Sequence, residues 1–299
     1  MTLLQLEIFI TVLETGSFTK AGELLGLTQS AISHTVAGLE SEFGICLLYR
    51  NRAGVSLTEV GEKILFNIRE TLNQAEQIRQ KVSEMQGIVI GKIRIGCFST
   101  VAAKVLPGIL KHFNTHYPAI QIQLLEGSYR QIEKWITSGN VDLGFVLMPN
   151  QELEVVPLIQ DEYVVLLPEN HRLAGSPFIQ IQEIADEPFI MPLAGCTEFV
   201  NRAFERIEAK PNVLFEVEHT NTILAMVQKG LGISIVPELL FHPPGVFTCS
   251  LKPKLLRKIG LGVRSMQAAA PATKAFISTA TKWVENNDDY SHCQWDYMI

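Results

Sequence analysis

Apolar residues recur at helical spacing in the first part of the chain. The opening stripe is formed by Leu6, Phe9, Ile10 and Leu13. Residues three or four positions apart lie on one face of a helix, so this stripe predicts an amphipathic first helix. Glu7 and Glu14 interrupt the apolar run, and no basic leader or small-residue cleavage site follows. The stretch is therefore interpreted as a helix rather than a signal peptide.

A tight turn at Gly26-Leu27 is predicted to join a second and a third helix. Ala21, Leu24 and Leu25 have helical spacing before the turn, and the Thr28 hydroxyl is suited to cap a helix that begins at Gln29. Four apolar residues recur along this third helix and predict one buried stripe: Ile32, Val36, Leu39 and Phe43.

The opposite face of the third helix is short and mostly polar, and it carries Gln29, Ser30, Ser33, His34 and Ala37. Side chains of this kind approach base edges closely and donate or accept hydrogen bonds in the major groove. Any small helical bundle also exposes a polar face. Periodicity alone therefore leaves DNA recognition and a plain bundle as alternatives.

A long helix is predicted from residue 58 to about residue 85. The stretch contains no proline, and its apolar residues recur every three or four positions: Ile64, Ile68, Leu72, Ala75, Ile78, Val82 and Met85. This stripe is more than a lone helix can bury. It packs either against a second copy of the chain or against other parts of its own chain.

Beyond Gly91, short apolar runs alternate with helical stretches. Strands are predicted at 92–98, 120–126, 141–147, 163–167, 189–191, 213–217, 233–236 and 256–263, and helices at 101–117, 129–138, 198–209, 222–229 and 272–285. The initial βαβαβ order predicts a parallel sheet covered by helices, and a second series predicts a second α/β lobe. Residues 286–299 show no periodicity and are predicted to form a disordered tail.

Composition narrows the class of protein. The chain has 299 residues and is 47% hydrophobic, which allows two or three domains with substantial cores. No apolar run approaches the ~20 residues that span a bilayer, so a cytoplasmic protein without membrane contact is expected. The five cysteines form no C-x-x-C pair. Reduced thiols are therefore favoured over a disulfide framework or a zinc site.

The net charge of −6 does not by itself suggest a DNA-binding protein. Residues 1–60 carry three basic and six acidic side chains, a net charge of −3. Binding to DNA is still compatible with this charge if phosphates are held chiefly by backbone N–H groups, hydroxyls and helix N-termini.

The N-terminal pattern resembles the DNA-binding domain of LysR-type transcriptional regulators. The resemblance rests on the order Ala21, Leu25, Thr28-Gln29, Ala31, Ser33, Leu39-Glu40, Gly44, Leu47, Arg50, Leu57-Thr58 and Gly61. It implies an all-α winged helix-turn-helix with 29–43 as recognition helix and 50–57 as wing. The DNA-binding residues implied are Thr28, Gln29, Ser30, Ser33, His34, Ala37, Arg50 and Arg52. This chain departs from the usual pattern at Gly22, Ser30, His34, Leu48 and Ala53.

The second half is similar to the effector-binding domain of the same family. The similarity rests on 92–96, Leu106-Pro107, Phe113, Tyr117-Pro118, 139–143 and 230–237. It implies a two-lobed, periplasmic-binding-protein-like α/β domain after a linker helix that dimerises. The implied domains are 1–58 for DNA binding, 59–88 for the linker and 89–285 for the effector domain. Its first lobe takes in about 89–161 and 265–285, and its second lobe about 162–264.

The effector is expected where strand ends and helix N-termini face the cleft between the lobes, because N–H groups there favour anions or polar oxygens. Ser99, Thr100, Thr197, Thr220 and Asn221 fit this description. Ordinary helix capping explains the same residues equally well. The resemblance favours ligand binding at these residues by a small-molecule effector of unknown identity. The helix N-termini leave an anionic effector and one with polar oxygens as alternatives. Double-stranded promoter DNA and a homodimer or homotetramer are the other expected partners, and RNA polymerase is a candidate.

Other classes of function fit less well. A thiol redox sensor built on Cys196 is an alternative within the same fold, although no second cysteine lies nearby in the sequence. A transported-solute-binding protein would have no winged helix. The sequence shows neither G-x-S-x-G nor a phosphate-binding G-x-x-x-x-G-K-[ST] loop. We therefore expect no catalytic residues, no metal and no cofactor.

Overall fold

The computed structural model describes residues 1–51, 54–85, 89–193, 195–239 and 244–287. By their internal contacts these residues form two compact units. Unit 1 consists of Met1–Gly91 with Ser138–Asn140, and unit 2 begins at Lys92 and takes in the remaining described residues. Of the predicted tail, residues 288–299 lie outside the described part of the chain.

Unit 1 contains four helices and a two-stranded hairpin. The elements are α1 (Leu3–Thr15), α2 (Phe18–Leu25), α3 (Gln29–Phe43), β1 (Leu48–Asn51), β2 (Gly54–Leu57) and α4 (Glu59–Met85). The strands pair antiparallel, with Leu48 opposite Leu57. The hairpin is the predicted wing, and it begins two residues earlier than the sequence indicated.

Local chemistry fixes the ends of the first three helices. Each begins at a hydroxyl side chain that accepts a backbone hydrogen bond and ends at a glycine in the left-handed conformation: Thr2 and Gly16, Ser17 and Gly26, Thr28 and Gly44. The hydroxyls satisfy N–H groups that have no partner in the first turn, and the glycines adopt positive φ without strain. The predicted bounds of α3 agree with the structure.

The apolar faces of α1, α2 and α3 meet in one core with the first half of α4. Its buried residues include Leu6, Phe9, Ala21, Ile32, Val36, Leu39, Leu47 and Ile68. Phe43, the last residue of α3, was predicted to be buried but is 41% exposed. At this end of the helix the apolar spacing continues beyond the core that the helix covers.

The apolar stripe of α4 divides into two parts. Ile64 and Leu72 pack against the core around Ile68. Ile78, Val82 and Met85, further along the helix, are exposed. The first part of the stripe is thus buried on its own chain, and only the second part remains for another partner.

Unit 2 is a mixed α/β domain. Its strands are β3 (Gly91–Cys97), β4 (Ile120–Glu126), β5 (Leu143–Met148), β6 (Glu154–Pro168), β7 (Pro188–Pro192), β8 (Asn212–Val217), β9 (Ser234–Pro237) and β10 (Val246–Val263). Its helices are α5 (Ser99–Lys104), α6 (Leu106–His116), α7 (Tyr129–Thr137), α8 (Thr197–Glu205), α9 (Thr220–Gln228) and α10 (Pro271–Glu285), and a 3₁₀ turn covers Ile181–Ile184.

The six-stranded sheet has the order β4-β3-β5-β10-β6-β9, and β7 and β8 form a separate pair. β3 and β5 are parallel, as are β7 and β8. β10, which lies outside the predicted βαβαβ series, runs antiparallel to β5 and β6, so the complete sheet is mixed. A helical crossover joins parallel strands, so the βαβαβ order predicts parallel pairing only among the strands of that series.

Two long strands connect the lobes of unit 2. β6 and β10 pair with each other over most of their length. The second half of β10 also pairs with β5 in the first lobe, whereas the second half of β6 pairs with β9 in the second lobe. The sequence predicted only the later parts of both strands, from residues 163 and 256. Their earlier parts mix charged and apolar residues and lack a clear period.

The remaining differences concern helices. The single helix predicted over 101–117 is divided at Val105 into α5 and α6, because Pro107 has no N–H to continue the first helix. α10 returns to the first lobe, where the ring of Phe276 contacts Phe113 at a centroid distance of 5.2 Å.

Candidate DNA-binding surface and effector site

The outer face of α3 presents the side chains predicted to read bases. Thr28, Gln29, Ser30, His34 and Ala37 are exposed, and Ser33 is half-buried. The Thr28 hydroxyl accepts a hydrogen bond from the backbone N–H of Ala31 (3.2 Å), and it lies 3.0 Å from the Ser30 hydroxyl. Capping and DNA contact are therefore compatible at this end of α3, because Gln29 and Ser30 stay exposed beside the cap.

The turn before α3 is tight because residue 22 is a glycine. A Cβ at Gly22 would lie 2.6 Å from the carbonyl oxygen of Leu27, closer than a carbon atom can approach. Alanine is common at this position in the family that the sequence resembles. Glycine here lets α2 approach the turn more closely than alanine would.

Arg50 of the wing lies against α3. Its Nη1 donates a hydrogen bond to the Ser33 Oγ at 3.0 Å, and its guanidinium carbon stands 4.3 Å from the centre of the Phe18 ring. Glu40 is 3.8 Å from the same guanidinium. Glu40 also accepts hydrogen bonds from the backbone N–H groups of Leu47 and Leu48. Arg52, the other wing residue predicted to contact DNA, lies outside the described residues.

A buried arginine stands at the centre of unit 2. Arg257 on β10 is 1% exposed, and it lies opposite Asp161 on β6. Its Nε donates to Asp161 Oδ1 at 2.7 Å, and its Nη2 donates to Asp161 Oδ2. A bidentate pair of this kind brings both charges out of water as a neutral unit.

The free side of this guanidinium contacts the first lobe. Nη1 of Arg257 donates a hydrogen bond to the Tyr129 hydroxyl at 2.8 Å and a longer one to Thr100 Oγ1 at 3.4 Å. Phe98 places its ring beside the guanidinium and makes an edge contact with Tyr129. Thr100 is thus a buried partner of Arg257, as well as a residue at the start of α5.

The second lobe reaches the same cluster through the loop before α8. Cys196 Sγ lies 4.0 Å from the Tyr129 hydroxyl. A Cβ at Gly195, whose φ is +86°, would lie 2.5 Å from Cδ2 of Tyr129, so the loop approaches the ring closely only with glycine there. The adjacent Thr197 donates its hydroxyl hydrogen to the carbonyl oxygen of Pro192 at 2.8 Å.

The cluster contains one polar group without a partner. Tyr163 on β6 is fully buried, and its hydroxyl makes no hydrogen bond with the described residues. Its ring stacks on Phe199 in the first turn of α8 at 5.0 Å. Burial raises the pKa of Tyr163, and nearby Tyr129 and Cys196 raise it further.

Burial keeps the other titratable members of the cluster protonated. It raises the pKa of the Tyr129 phenol, although Arg257 opposes the shift. It likewise raises the pKa of the Cys196 thiol against the opposing effect of Arg257. A reactive cysteine needs a lowered pKa and access to solvent, whereas Cys196 is 7% exposed. This geometry weighs against the redox alternative. In β3, burial raises the pKa of Cys97 to about 12, with Glu126 contributing.

The structure brings some of the predicted effector residues together. Thr100 and the Cys196-Thr197 segment meet around Tyr129 and Arg257. Ser99 is exposed at the start of α5, while Thr220 and Asn221 begin α9. No described hydrogen bond links these three residues to Arg257. Their role in effector binding stays a prediction.

The sequence pattern did not single out Arg257, Asp161, Tyr129 or Tyr163 as site residues. One signal was available, because Asp161 and Arg257 are charged residues next to strongly apolar strand sequences. A buried charge needs a partner, so two such residues of opposite sign favour a pair. The register that places them opposite each other is visible only in the sheet.

The described residues hold no group of three or more potential metal ligands. In the same part of the chain, no helix has both the length and the apolar character needed to cross a membrane. Cys46 is exposed, and Cys97, Cys196 and Cys249 are buried, all as free thiols.

Two family models match the chain. A model described as "Bacterial regulatory helix-turn-helix protein, lysR family" matches residues 3–62, and one described as "LysR substrate binding domain" matches residues 86–285. YvbU of Bacillus subtilis, an HTH-type transcriptional regulator, is 35% identical over 94% of this chain and 98% of its own length. LrrA of Synechococcus elongatus, a probable HTH-type transcriptional regulator, is 34% identical over 93% and 95%.

Solved structures show the same fold. Full-length OxyR of Pseudomonas aeruginosa aligns with a TM-score of 0.77 at 23% identity and covers 100% of this chain and 99% of its own. CbnR in complex with its target DNA aligns at 0.66 with 21% identity, over 95% and 100%. The effector-binding domain of QuiR in complex with shikimate aligns at 0.59 with 26% identity, over 65% and 97%.

Proposed function

The chain belongs to the LysR-type family of transcriptional regulators, and we propose that it binds double-stranded promoter DNA through α3 and the β1–β2 wing under the control of a small-molecule effector. It acts by binding rather than by catalysis, as a homodimer or homotetramer in the cytoplasm, with RNA polymerase as a candidate partner.

The observation that carries the DNA-binding proposal is the division of α3 into two faces. Ile32, Val36 and Leu39 are fully buried, whereas the short polar residues opposite them are exposed. A helix presented in this way by a compact unit enters the major groove without losing its own packing. CbnR, which has the same fold, has been solved with its target DNA.

The effector proposal rests on the cluster around Arg257. Thr100 and Tyr129 from the first lobe meet Cys196 from the second lobe at this residue. A ligand here contacts both lobes, and any difference in its affinity between two lobe arrangements shifts their populations. QuiR has been solved with shikimate in its effector-binding domain.

The DNA-binding proposal is tested with the purified full chain. Genomic fragments that co-purify with the protein are sequenced, with and without a metabolite extract. A shared sequence motif in the retained fragments supports the proposal, and random recovery contradicts it.

Thr100→Val tests the effector site. Loss of one hydrogen bond costs about 1 kcal/mol, which is about fivefold in affinity. The variant should bind its operator normally without effector and need about fivefold more effector in a reporter assay. Thr115→Val is the matched control, because Thr115 lies at an exposed position of α6 and its hydroxyl donates to the carbonyl oxygen of Lys111. An unchanged response in Thr100→Val would place the effector elsewhere.

A further inference from the structure

Arg257 is the strongest fixed charge in the proposed effector site, and its charge is already neutralised. Asp161 accepts two hydrogen bonds from the guanidinium, and both side chains are buried. A carboxylate or phosphate that entered here would meet a neutral pair. The buried cluster would then hold an excess negative charge, which is costly in a low-dielectric interior.

The charged residues near the Asp161–Arg257 pair do not add a positive charge that would offset a bound anion. Glu162, next to Asp161 on β6, lies 3.1 Å from Lys254 and accepts a hydrogen bond from Ser250. Burial raises the pKa of Glu238, and Glu162 and Asp161 raise it further. The charged side chains around Arg257 therefore do not favour the binding of an anion.

Tyr129 shows what the position beside Arg257 accepts. Its hydroxyl oxygen receives a hydrogen bond from the guanidinium at 2.8 Å, which is where an oxygen of a ligand would be held. The phenol nevertheless has a raised pKa. Burial outweighs the opposing effect of Arg257 on the pKa of Tyr129, and Asp161 already neutralises the guanidinium. An oxygen atom held at this position is therefore favoured as a neutral hydroxyl over an anion. The other groups nearby, Thr100, Cys196 and the unpartnered hydroxyl of Tyr163, are neutral as well.

We propose that the effector group that reaches Arg257 is an uncharged hydrogen-bonding group, such as a hydroxyl or an amide, and that this position excludes carboxylates and phosphates. Such a group takes the place of the Tyr129 hydroxyl on the guanidinium, and it gives the Tyr163 hydroxyl the partner that it lacks. This inference rests on the proposed effector function of the cluster. Of the anion and the polar oxygen that the helix N-termini left open, it selects the uncharged polar group, because the buried Asp161 already neutralises Arg257.

Chemical rescue of a cavity variant tests the proposal. Tyr129→Ala removes a phenol ring from a closely packed position, so added phenol should bind and raise Tm, whereas benzoate should bind at least about tenfold more weakly. Tyr129→Phe keeps the ring in place and is the matched control, in which neither compound should bind. Benzoate binding as tight as phenol binding, or no phenol binding to Tyr129→Ala, would overturn the proposal.

A second substitution tests the cause. In Tyr129→Ala combined with Asp161→Asn, the charge of Arg257 is no longer neutralised, and the preference should change from phenol to benzoate. An unchanged preference would show that Asp161 does not set the charge selectivity.

A measurement on the wild-type chain does not depend on the folding of these variants. The ionisation of Tyr129 is followed by NMR of its ring carbons, with free tyrosine in the same buffer as reference. Tyr129 should remain protonated at a pH at which free tyrosine is ionised, and ionisation of Tyr129 before free tyrosine would overturn the proposal. The NMR measurement and the reporter assay test different claims. An unchanged effector response in Thr100→Val would contradict the proposed effector site, but it would not alter the charge preference measured at Tyr129.

Discussion

The guanidinium of Arg50 donates a hydrogen bond of 3.0 Å to the hydroxyl of Ser33, which connects the wing to the outer face of α3. The sequence implied DNA contact for each residue separately, with Ser33 on the polar face of α3 and Arg50 in the wing. Because the Ser33 oxygen accepts from Arg50, its hydroxyl hydrogen remains available for an acceptor on a base edge. The contributions of Ser33 and Arg50 to DNA binding are therefore coupled.

Ser33→Ala should weaken binding to the operator by about 1–3 kcal/mol, and His34→Ala by a similar amount, because each removes a group that reaches base edges. Arg50→Ala should weaken binding to operator and random DNA alike.

In the Ser33→Ala/Arg50→Ala double variant, the loss of binding free energy should be smaller than the sum of the two single losses by roughly 0.5–1 kcal/mol. His34→Ala/Arg50→Ala, which lacks such a contact, is the additive control. Gel-shift titrations measure all five variants, and strict additivity for Ser33 and Arg50 would show that their contact is absent in solution.

Val82→Lys should dissociate the oligomer without unfolding the chain. Val82 belongs to the exposed second part of the α4 stripe, so a partner helix that covers it would have to bury the new charge. Gln74→Lys adds the same charge at an exposed polar position of α4 and should leave the oligomer intact. Ile68→Lys should instead destabilise unit 1 itself, because Ile68 is in its core. Sedimentation velocity and thermal denaturation separate these outcomes, and an intact Val82→Lys oligomer would move the interface away from this part of α4.

Cys196 should resist alkylation and oxidation. Burial raises the pKa of its thiol, so at pH 7 the thiol is protonated and lacks the nucleophilic thiolate. Iodoacetamide should therefore modify exposed Cys46 well before Cys196, and modification of Cys196 should increase only at alkaline pH. Mass spectrometry of peptides after brief exposure to iodoacetamide or hydrogen peroxide measures both sites. Oxidation of Cys196 ahead of Cys46 would revive the redox alternative.

Asp161→Asn should lower the free energy of unfolding of unit 2 by about 3–5 kcal/mol, because it leaves the buried Arg257 charge without a counter-ion. The double variant Asp161→Leu/Arg257→Met should lose less, since it removes both buried charges together. Urea denaturation of the wild type and both variants measures the difference. If the double variant is less stable than Asp161→Asn, the Asp161–Arg257 pair stabilises unit 2 by more than the cancelling of its own two buried charges.

The sequence by itself determined the parts of the protein that depend on local chemistry. Thr28 and Gly44 set the ends of α3 because a hydroxyl cap and a left-handed glycine act within one turn of the helix. Ile32, Val36 and Leu39 identified its buried face through their spacing, and the family followed from motifs within these same elements. Thr100 was proposed as an effector residue because it stands at the start of a helix after a strand.

Only the tertiary structure decided which residues meet across long distances in the chain. Arg257 and Asp161 are 96 residues apart, and they pair because β6 and β10 lie side by side in one register. Phe43 keeps the period of α3 but lies beyond the core that would bury it, and Ile68 and Val82 share one stripe but differ in burial. Helical and strand periods describe the face on which a residue lies. What covers that face, and which charges it brings together, depends on how separate elements pack.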